Sequence, residues 1–580
     1  MMVWSFILRF VFLSPTTIST SKRMVLVFVV GTILGACATN PEPSNTQHIT
    51  PSGSHAENPH KHKGFEETVE YFGTEEIYTL SAGISGITER YIEEVAPQKL
   101  AIDALGGLSA IDPSIDVILQ NGQKNDHDNL LLQMAQFNHS AFERGTIDKI
   151  DVFSLPKSIE PRIWAEFISN VVNIAKDHSP ILNKTNSDKV LESLFDGMLV
   201  GLDVFSRYAG PIEADHNRAR REGFGGIGVH FSDEKTILGI GKKGFPITSV
   251  TTGTPAADAG LVPGDRIISI SGHNVSGYKM QKLAAMLRGP VGSKIAIGIL
   301  REYGGKTPII FNLTRAHIIP ETVTATVNNN ILNIRINSFN RLTAGEVRDS
   351  ISAVNDKIES GAISGIVMDL RDNPGGLLMQ SVNVADLFLT KGDIIATNGR
   401  HQDSIHKYHA GGIDIARNLP LAILINGDSA SAAEVLAGAL QDQGRAVVIG
   451  TTSYGKGSVQ TVLGLPNSGE ITLTWSRLIT PSGYAIHQLG ILPNVCASEG
   501  TALPSENQMD ENETLLRQWR EIGLNFGEKR QILRKSCRDT AKKVDESRLR
   551  ILARNVIANH KLYAKAIEMS LPTDSARKVD

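Results

Sequence analysis

Only three cysteines occur in 580 residues, too few for a disulfide-built scaffold or a zinc ribbon. Charge of one sign is equally scarce. Lys and Arg number 58 against 61 Asp and Glu, a formal net charge of -3, so the basic face that nucleic acid requires is missing and no nucleic-acid partner is expected. Long apolar runs are absent as well. The run from Met24 to Ala36 is about 13 residues, short of the roughly 20 that span a bilayer as a helix. No internal repeat is present. What remains is the composition of an ordinary globular protein, 41% apolar and 21% charged with 53 glycines. The chain is too long for one core, and about three to five domains are expected.

The N-terminus carries the first specific signal. Lys22 and Arg23 precede the apolar run and Cys37 follows it, the layout of an export segment over residues 1–37. Leu34-Gly35-Ala36-Cys37 resembles a bacterial lipobox, in which the cysteine is lipidated. A cleaved signal with an incidental cysteine is the alternative. The lipobox implies an exported, periplasmic protein anchored by Cys37, and Ala38 in place of an aspartate is compatible with outer-membrane sorting. Residues 38–64 are rich in Pro, Ser, Asn and Gly and read as a flexible tether. His48, His55, His60 and His62 lie within it, but no scaffold holds them, so no metal is expected there.

Residues 65–222 place their apolar side chains mostly at helical spacing, as in KVLESLFDGMLVGLDVFSRY, with breaks at Gly106-Gly107 and near Pro180. From 223 to 316 the period shortens. The runs ITSV, RIISI, KIAIGILRE and PIIFNLT alternate with turn signals, and one helical segment, GYKMQKLAAMLRG, interrupts them. Residues 317–500 read as α/β, with ILNIRINSF, GIVMDL, LAILIN and AVVIGT as strands. Residues 501–580 are charged and helix-favouring. The fold class is therefore α/β multidomain, with helical regions at both ends.

Chemistry concentrates between 421 and 460. The strand Leu421–Ile425 enters the turn NGDSAS and then a helix rich in Ala and Leu. A serine in that turn meets unpaired N–H groups and the positive end of the helix dipole, which suits a nucleophile beside an oxyanion hole. It equally suits a plain N-cap. Lys456 lies in the glycine-flanked loop YGKGS and becomes a general base only where burial lowers its pKa; otherwise it is an exposed loop lysine. Gly450 to Lys456, GTTSYGK, matches a phosphate-binding loop except that Gly457 stands where a Ser or Thr should hold magnesium. A triad through His487 with Asp428 or Asp442 is also open, because triad order is free in sequence.

SASAAEVLAGALQDQGRAVVIGTTSYGKGSVQ resembles the catalytic signature of the C-terminal processing peptidases. The resemblance implies Ser431 as nucleophile, Lys456 as general base and Gln460 as its support, with Ser429 a weaker alternative nucleophile. Ala433 departs from the serine many members carry there. Glu434 and Asp442 match polar positions of the signature, as structural partners. MDLRDNPGGLL resembles the family's strand and turn, which implies an oxyanion hole from Gly375 or Gly376 together with the Ala432 N–H. Residues 223–316 resemble a PDZ domain, carried by TPAADAGLVPGDRIISISG and LRGPVGSK. GFGGIGVHF then implies a carboxylate-binding loop at Gly225, Gly226, Ile227 and Gly228, with the peptide added as a strand.

The implied function is a serine endopeptidase that takes protein or peptide substrates with accessible C-terminal tails, needing no cofactor and no metal. The alternative is a catalytically silent PDZ tail-binding protein on a degenerate protease scaffold. Relatives couple peptide capture to catalysis through a PDZ arginine, which implies Arg288, or else Arg266. With Cys37 lipidated, Cys496 and Cys537 are the only thiols left. They either pair, tying the C-terminal region to the protease core, or stay apart as buried thiols.

Overall fold

Short aliphatic and β-branched runs buried on both faces build the inner parallel strands of the central sheet, as parallel strands require, while its antiparallel edge strand Val323–Asn328 is mostly exposed. The six strands of the sheet lie in the order Val323–Asn328, Ile331–Ile336, Gly365–Asp369, Leu421–Ile425, Val447–Gly450 and Val495–Cys496. The first pair is antiparallel and every later pair is parallel. This computed structural model describes residues 71–120, 129–137, 144–232, 244–301, 307–497, 503–522, 527–538 and 546–571. The export segment, Cys37 and the tether histidines lie outside them.

A second, antiparallel sheet stands beside the first, ordered His406–His409, Asp393–Gly399, Glu470–Ile479, Ser458–Gly464. The short strand Arg207–Ala209 also pairs with its long strand. The N-terminal region thus joins this sheet directly. Leu465, Ile471 and Leu473 of this sheet share one apolar core with Leu80, Ile84, Trp164, Phe195 and their neighbours. Arg221, on the helix Pro211–Glu222, grips the buried Glu470 through both carboxylate oxygens, at 3.0 and 2.9 Å. A bidentate pair of this kind fixes orientation as well as distance.

Helices dominate the N-terminal region, each with a readable cause. Pro161 opens Pro161–His178, where a missing N–H costs nothing, and Asn186 caps Ser187–Val200 by accepting the Lys189 N–H at 2.9 Å. The structure adds what the helical reading of 65–222 lacked. Ile115–Gln120, Asn129–Phe137 and Arg144–Ser154 form a three-stranded antiparallel sheet. Helix Ser187–Val200 stops before Gly201, and the rest of that helical run is a loop that leads into the strand Arg207–Ala209.

The PDZ domain has its own apolar core around Ile267, Ile297, Ile299 and Leu283. All four runs read as strands are strands, and the helix is Met280–Leu287. Phe224–Gly226 pairs with Ala316–Ile318, so the two ends of the domain close on each other slightly beyond residue 316. Beyond the protease sheets, Glu506–Glu521, Gly527–Arg534, Glu546–Ala558 and His560–Glu568 are helical. They do not stand apart as a separate region: Trp519, Leu552, Val556 and Ala566 are buried in the same core as the central sheet. Cys496 and Cys537 form a disulfide, with Cα atoms 5.8 Å apart. Among the described residues no helix is long and apolar enough to cross a membrane.

Candidate active site

Three neighbouring parallel strands end on the same side, and the loops at their carboxyl ends carry the residues singled out by sequence. In an open α/β sheet that edge is where ligands bind. Gly365–Asp369 leads to the turn Arg371–Gly376, Leu421–Ile425 to Ser431, and Val447–Gly450 to Lys456.

Ser431 is the residue before helix Ala432–Asp442, with φ 55° and ψ -114°. A non-glycine residue held at positive φ is strained, and such strain collects at functional sites. Its hydroxyl does not cap the helix; the Ser431 N–H instead donates to Glu434 Oε2 at 2.8 Å. Ser429 is placed differently. It is wholly buried, donates its hydroxyl to Leu370 O at 2.8 Å and accepts the Asn426 N–H at 3.0 Å, so it holds the turn.

Glu434 is the centre of the site. It is completely buried, and it accepts from Ser453 Oγ (2.5 Å), the Gly455 N–H (2.6 Å) and the Lys456 N–H (2.9 Å) besides Ser431. One carboxylate oxygen thereby receives the backbones of both Ser431 and Lys456. Burial pushes the Glu434 carboxyl up, against the downward pull of these four bonds. All four partners donate, as an ionised carboxylate wants.

Lys456 is half-buried and enters no ion pair among the described residues. Burial lowers its pKa and the charge of Arg207 lowers it further, while Glu434 and Asp203 pull back. Its Nζ lies over the ring of Phe205, 5.2 Å from the centroid. Gln460 gives its amide hydrogens to Ser458 Oγ (2.9 Å), Ser458 O (3.3 Å) and Thr474 Oγ1 (3.4 Å). No hydrogen bond of the described residues joins Lys456 to Ser431 Oγ or to Gln460.

The glycine turn packs against the serine. A Cβ on Gly375 (φ +100°) would lie 2.8 Å from both Ser431 Cβ and Ala430 O, and one on Gly376 (φ +143°) 2.1 Å from Phe339 O. Only glycine fits either place. The Gly375 N–H is already given to Asn373 Oδ1 at 2.8 Å. The N–H groups of Gly376 and Ala432 have no partner among the described residues.

Both rival readings meet obstacles. The loop Thr451–Gly457 runs into the strand Ser458–Gly464, whereas a phosphate loop needs a helix whose N-terminus meets the phosphates. His487 adjoins the site, its ring 6.4 Å from that of Phe205. Burial, then Arg477 and Arg530, lower it to about 4, and its Nδ1 has no partner among the described residues. A triad needs a carboxylate on that nitrogen. Asp442 is instead bonded to Ser482 and Arg520, and Asp428 is exposed. No cluster of three or more His, Cys, Asp or Glu among the described residues is placed to hold a metal.

Sequence reading missed Phe205 and Asp203. Asp203 accepts the N–H groups of Phe205 (2.7 Å) and Ser206 (3.0 Å) and the Thr474 hydroxyl (3.1 Å), which sets the loop after Gly201 against the long strand and the Phe205 ring over Lys456. A contact across 251 positions leaves no local signal.

The PDZ groove lies between the free edge of Val229–Phe231, the outermost strand of its sheet, and helix Met280–Leu287. It encloses about 420 Å³, begins at Gly226, Ile227 and Gly228, and is lined by Arg288. The Arg288 guanidinium stacks on Phe224 at 4.4 Å. Gly225 is used within the fold, its carbonyl taking the Gly289 N–H at 3.0 Å. Arg266 donates to Gly244 O and does not line the groove.

Comparison with known proteins agrees with this architecture. Residues 330–497 match peptidase family S41 and residues 247–301 match the PDZ domain family. A carboxy-terminal-processing protease of Bartonella bacilliformis is 37% identical over 315 residues, 54% of this chain and 71% of that protein. The carboxy-terminal processing protease CtpA of Bacillus subtilis is 32% identical over 330 residues, 55% of this chain and 66% of that protein. Among solved structures, a photosystem II D1 C-terminal processing protease aligns at 22% identity and a TM-score of 0.35, covering 73% of this chain and 93% of that one. The chain belongs to the carboxy-terminal processing proteases of peptidase family S41, and carries their PDZ domain.

Proposed function

We propose that this chain is a serine endopeptidase that captures protein C-terminal tails in its PDZ groove and cuts near them with a Ser431–Lys456 dyad. The observation that carries the reading is the Glu434 carboxylate, which holds the backbones of Ser431 and Lys456 on one oxygen; the amides of Gly376 and Ala432, without a partner among the described residues, are assigned to the oxyanion. Neutral Lys456 takes the proton of Ser431 Oγ as that oxygen attacks the peptide carbonyl. The two amides hold the oxyanion, Lys456 returns the proton to the leaving amine, and water then hydrolyses the acyl-enzyme. The open edge of Val229–Phe231 supports strand addition of a tail, its carboxylate at Gly226–Gly228. The test is cleavage of an unstructured tail-bearing protein, with fluorophosphonate labelling of Ser431. Labelling that survives in Ser431→Ala, or no labelling of the folded wild type, would overturn the dyad.

Two expectations follow, one for a residue beside Lys456 and one for the PDZ groove. A lysine base works when neutral, so the rate climbs as pH rises through its pKa. Phe205→Ala admits water to Nζ and raises that pKa towards 10.5. The rising limb of kcat against pH should shift to higher pH, with lost activity recovered in alkali; a downward shift would show that the ring's attraction for the cation outweighs drying. Arg288→Ala should weaken binding of a tail peptide roughly tenfold or more, the worth of one charge-assisted bond to a carboxylate. It should also abolish stimulation of short-peptide cleavage by tail peptide. Anisotropy with a labelled peptide reads the first effect and peptidase kinetics the second.

A further inference from the structure

The loop that carries Lys456 has little means of holding its own shape. From Thr451 to Gly457 it contains two glycines and no helix or strand. Glu434 grips it from within. Gly455 O accepts the Gln488 N–H and Gly457 O the Leu478 N–H, each at 2.8 Å. Its outer side is fastened by a segment remote in sequence. Cys537 O accepts the Thr452 N–H at 2.9 Å. Arg534 Nη2 donates to Tyr454 O at 2.8 Å and to Ser453 O at 3.2 Å. Arg530, buried, donates to Ala485 O (2.7 Å) and His487 O (2.5 Å), on the stretch packed under Gly457.

The same segment is anchored at the root of the loop. Cys537 is bonded to Cys496, and Cys496 is the register partner of Gly450, the last residue of the strand that enters the loop. Arg534 therefore works from a short, cross-linked base. A guanidinium bridging two successive carbonyls fixes the backbone two residues before Lys456 in a way a single point charge cannot. The family match ends at 497, short of this segment, so membership of the family does not by itself supply the clamp.

We propose that helix Gly527–Arg534, stapled by Cys496–Cys537, is a clamp on the lysine loop, with Arg534 as a positioning residue for Lys456. The proposal rests on Lys456 being the general base. Arg534 touches neither substrate nor the reacting atoms. It acts by holding the Ser453–Tyr454 backbone so that Nζ keeps its place and its dry contact.

The test uses the full chain and a peptide too short to reach the PDZ domain. Arg534→Ala should lower kcat about tenfold, leave KM within about twofold, and move the rising limb of kcat against pH. Arg534→Lys, able to reach one carbonyl, should fall between. Wild-type kcat and pH limb in a folded Arg534→Ala protein overturn the clamp, even where its thermal transition drops, because that pattern is stability alone. Should Arg534→Ala not fold, dithiothreitol treatment of the wild type decides. The cystine takes two electrons and two protons to become two thiols while the dithiol closes to a cyclic disulfide. Two further titratable thiols with kcat reduced support the clamp, and with kcat unchanged they overturn it. Activity remaining in Lys456→Ala would instead strike the base assignment, which separates the two failures.

Discussion

Lys456→Ala is expected to lose peptide hydrolysis as completely as Ser431→Ala, and the double variant should be no worse than either. Nucleophile and base act as a unit, so removing one forfeits nearly all that the pair contributes, on the order of 10⁴-fold or more in kcat. Substrate affinity should hardly change, since neither side chain is needed to seat a tail in the PDZ groove. Lys456→Arg should be equally inactive, because a guanidinium does not shed its proton near neutrality. His487→Ala is the control. Its imidazole is neutral down to about 4 and its Nδ1 has no partner among the described residues, so its loss should cost a few-fold through packing against Phe205. A His487→Ala enzyme as inactive as Lys456→Ala would return the site to a triad.

The parts of this site that could be read from sequence share one property: their signals are local. LAILI and AVVIGT announce buried parallel strands by unbroken aliphatic runs, and NGDSAS and YGKGS announce turns by small residues. The serine, the lysine and the glycine turn therefore fall on the correct edge of the sheet. The strand Asn129–Phe137, NLLLQMAQF, was harder. Leu, Gln, Met and Ala favour helix intrinsically, and only antiparallel pairing on both sides overrides them. That the Gly375 N–H is already engaged was likewise hidden, because it turns on the Asn373 side chain accepting it. Phe205 and Arg534 reach the lysine loop from segments remote in sequence, 251 positions before Lys456 and 78 after it. Ser431, Lys456 and Glu434 lie within the family match, whereas Phe205 and Arg534 lie outside it.

Glu434 carries the second large expectation. Alanine there would leave Ser431 N–H, Gly455 N–H, Lys456 N–H and the Ser453 hydroxyl without their acceptor in a wholly buried place. Each abandoned buried donor costs about 1–3 kcal/mol before relaxation, so Glu434→Ala should lose roughly 3 kcal/mol or more of stability and nearly all activity. Glutamine separates the two effects. It keeps the volume, but turns an NH₂ towards either the Ser453–Gly455 pair or the Ser431–Lys456 pair. A backbone N–H cannot accept from it, so one arm of the network must open whichever way the amide points. Glu434→Gln should therefore fold with a modest fall in Tm, while kcat drops on the order of 10²-fold and KM stays near its wild-type value. Aspartate, one methylene shorter, should not span both arms and should resemble glutamine in rate. Thermal unfolding beside short-peptide kinetics and the rate of fluorophosphonate labelling resolves these outcomes. Wild-type turnover in Glu434→Gln would mean that Ser431 and Lys456 keep their places without the shared oxygen, and the geometry that supports the dyad would lose its keystone.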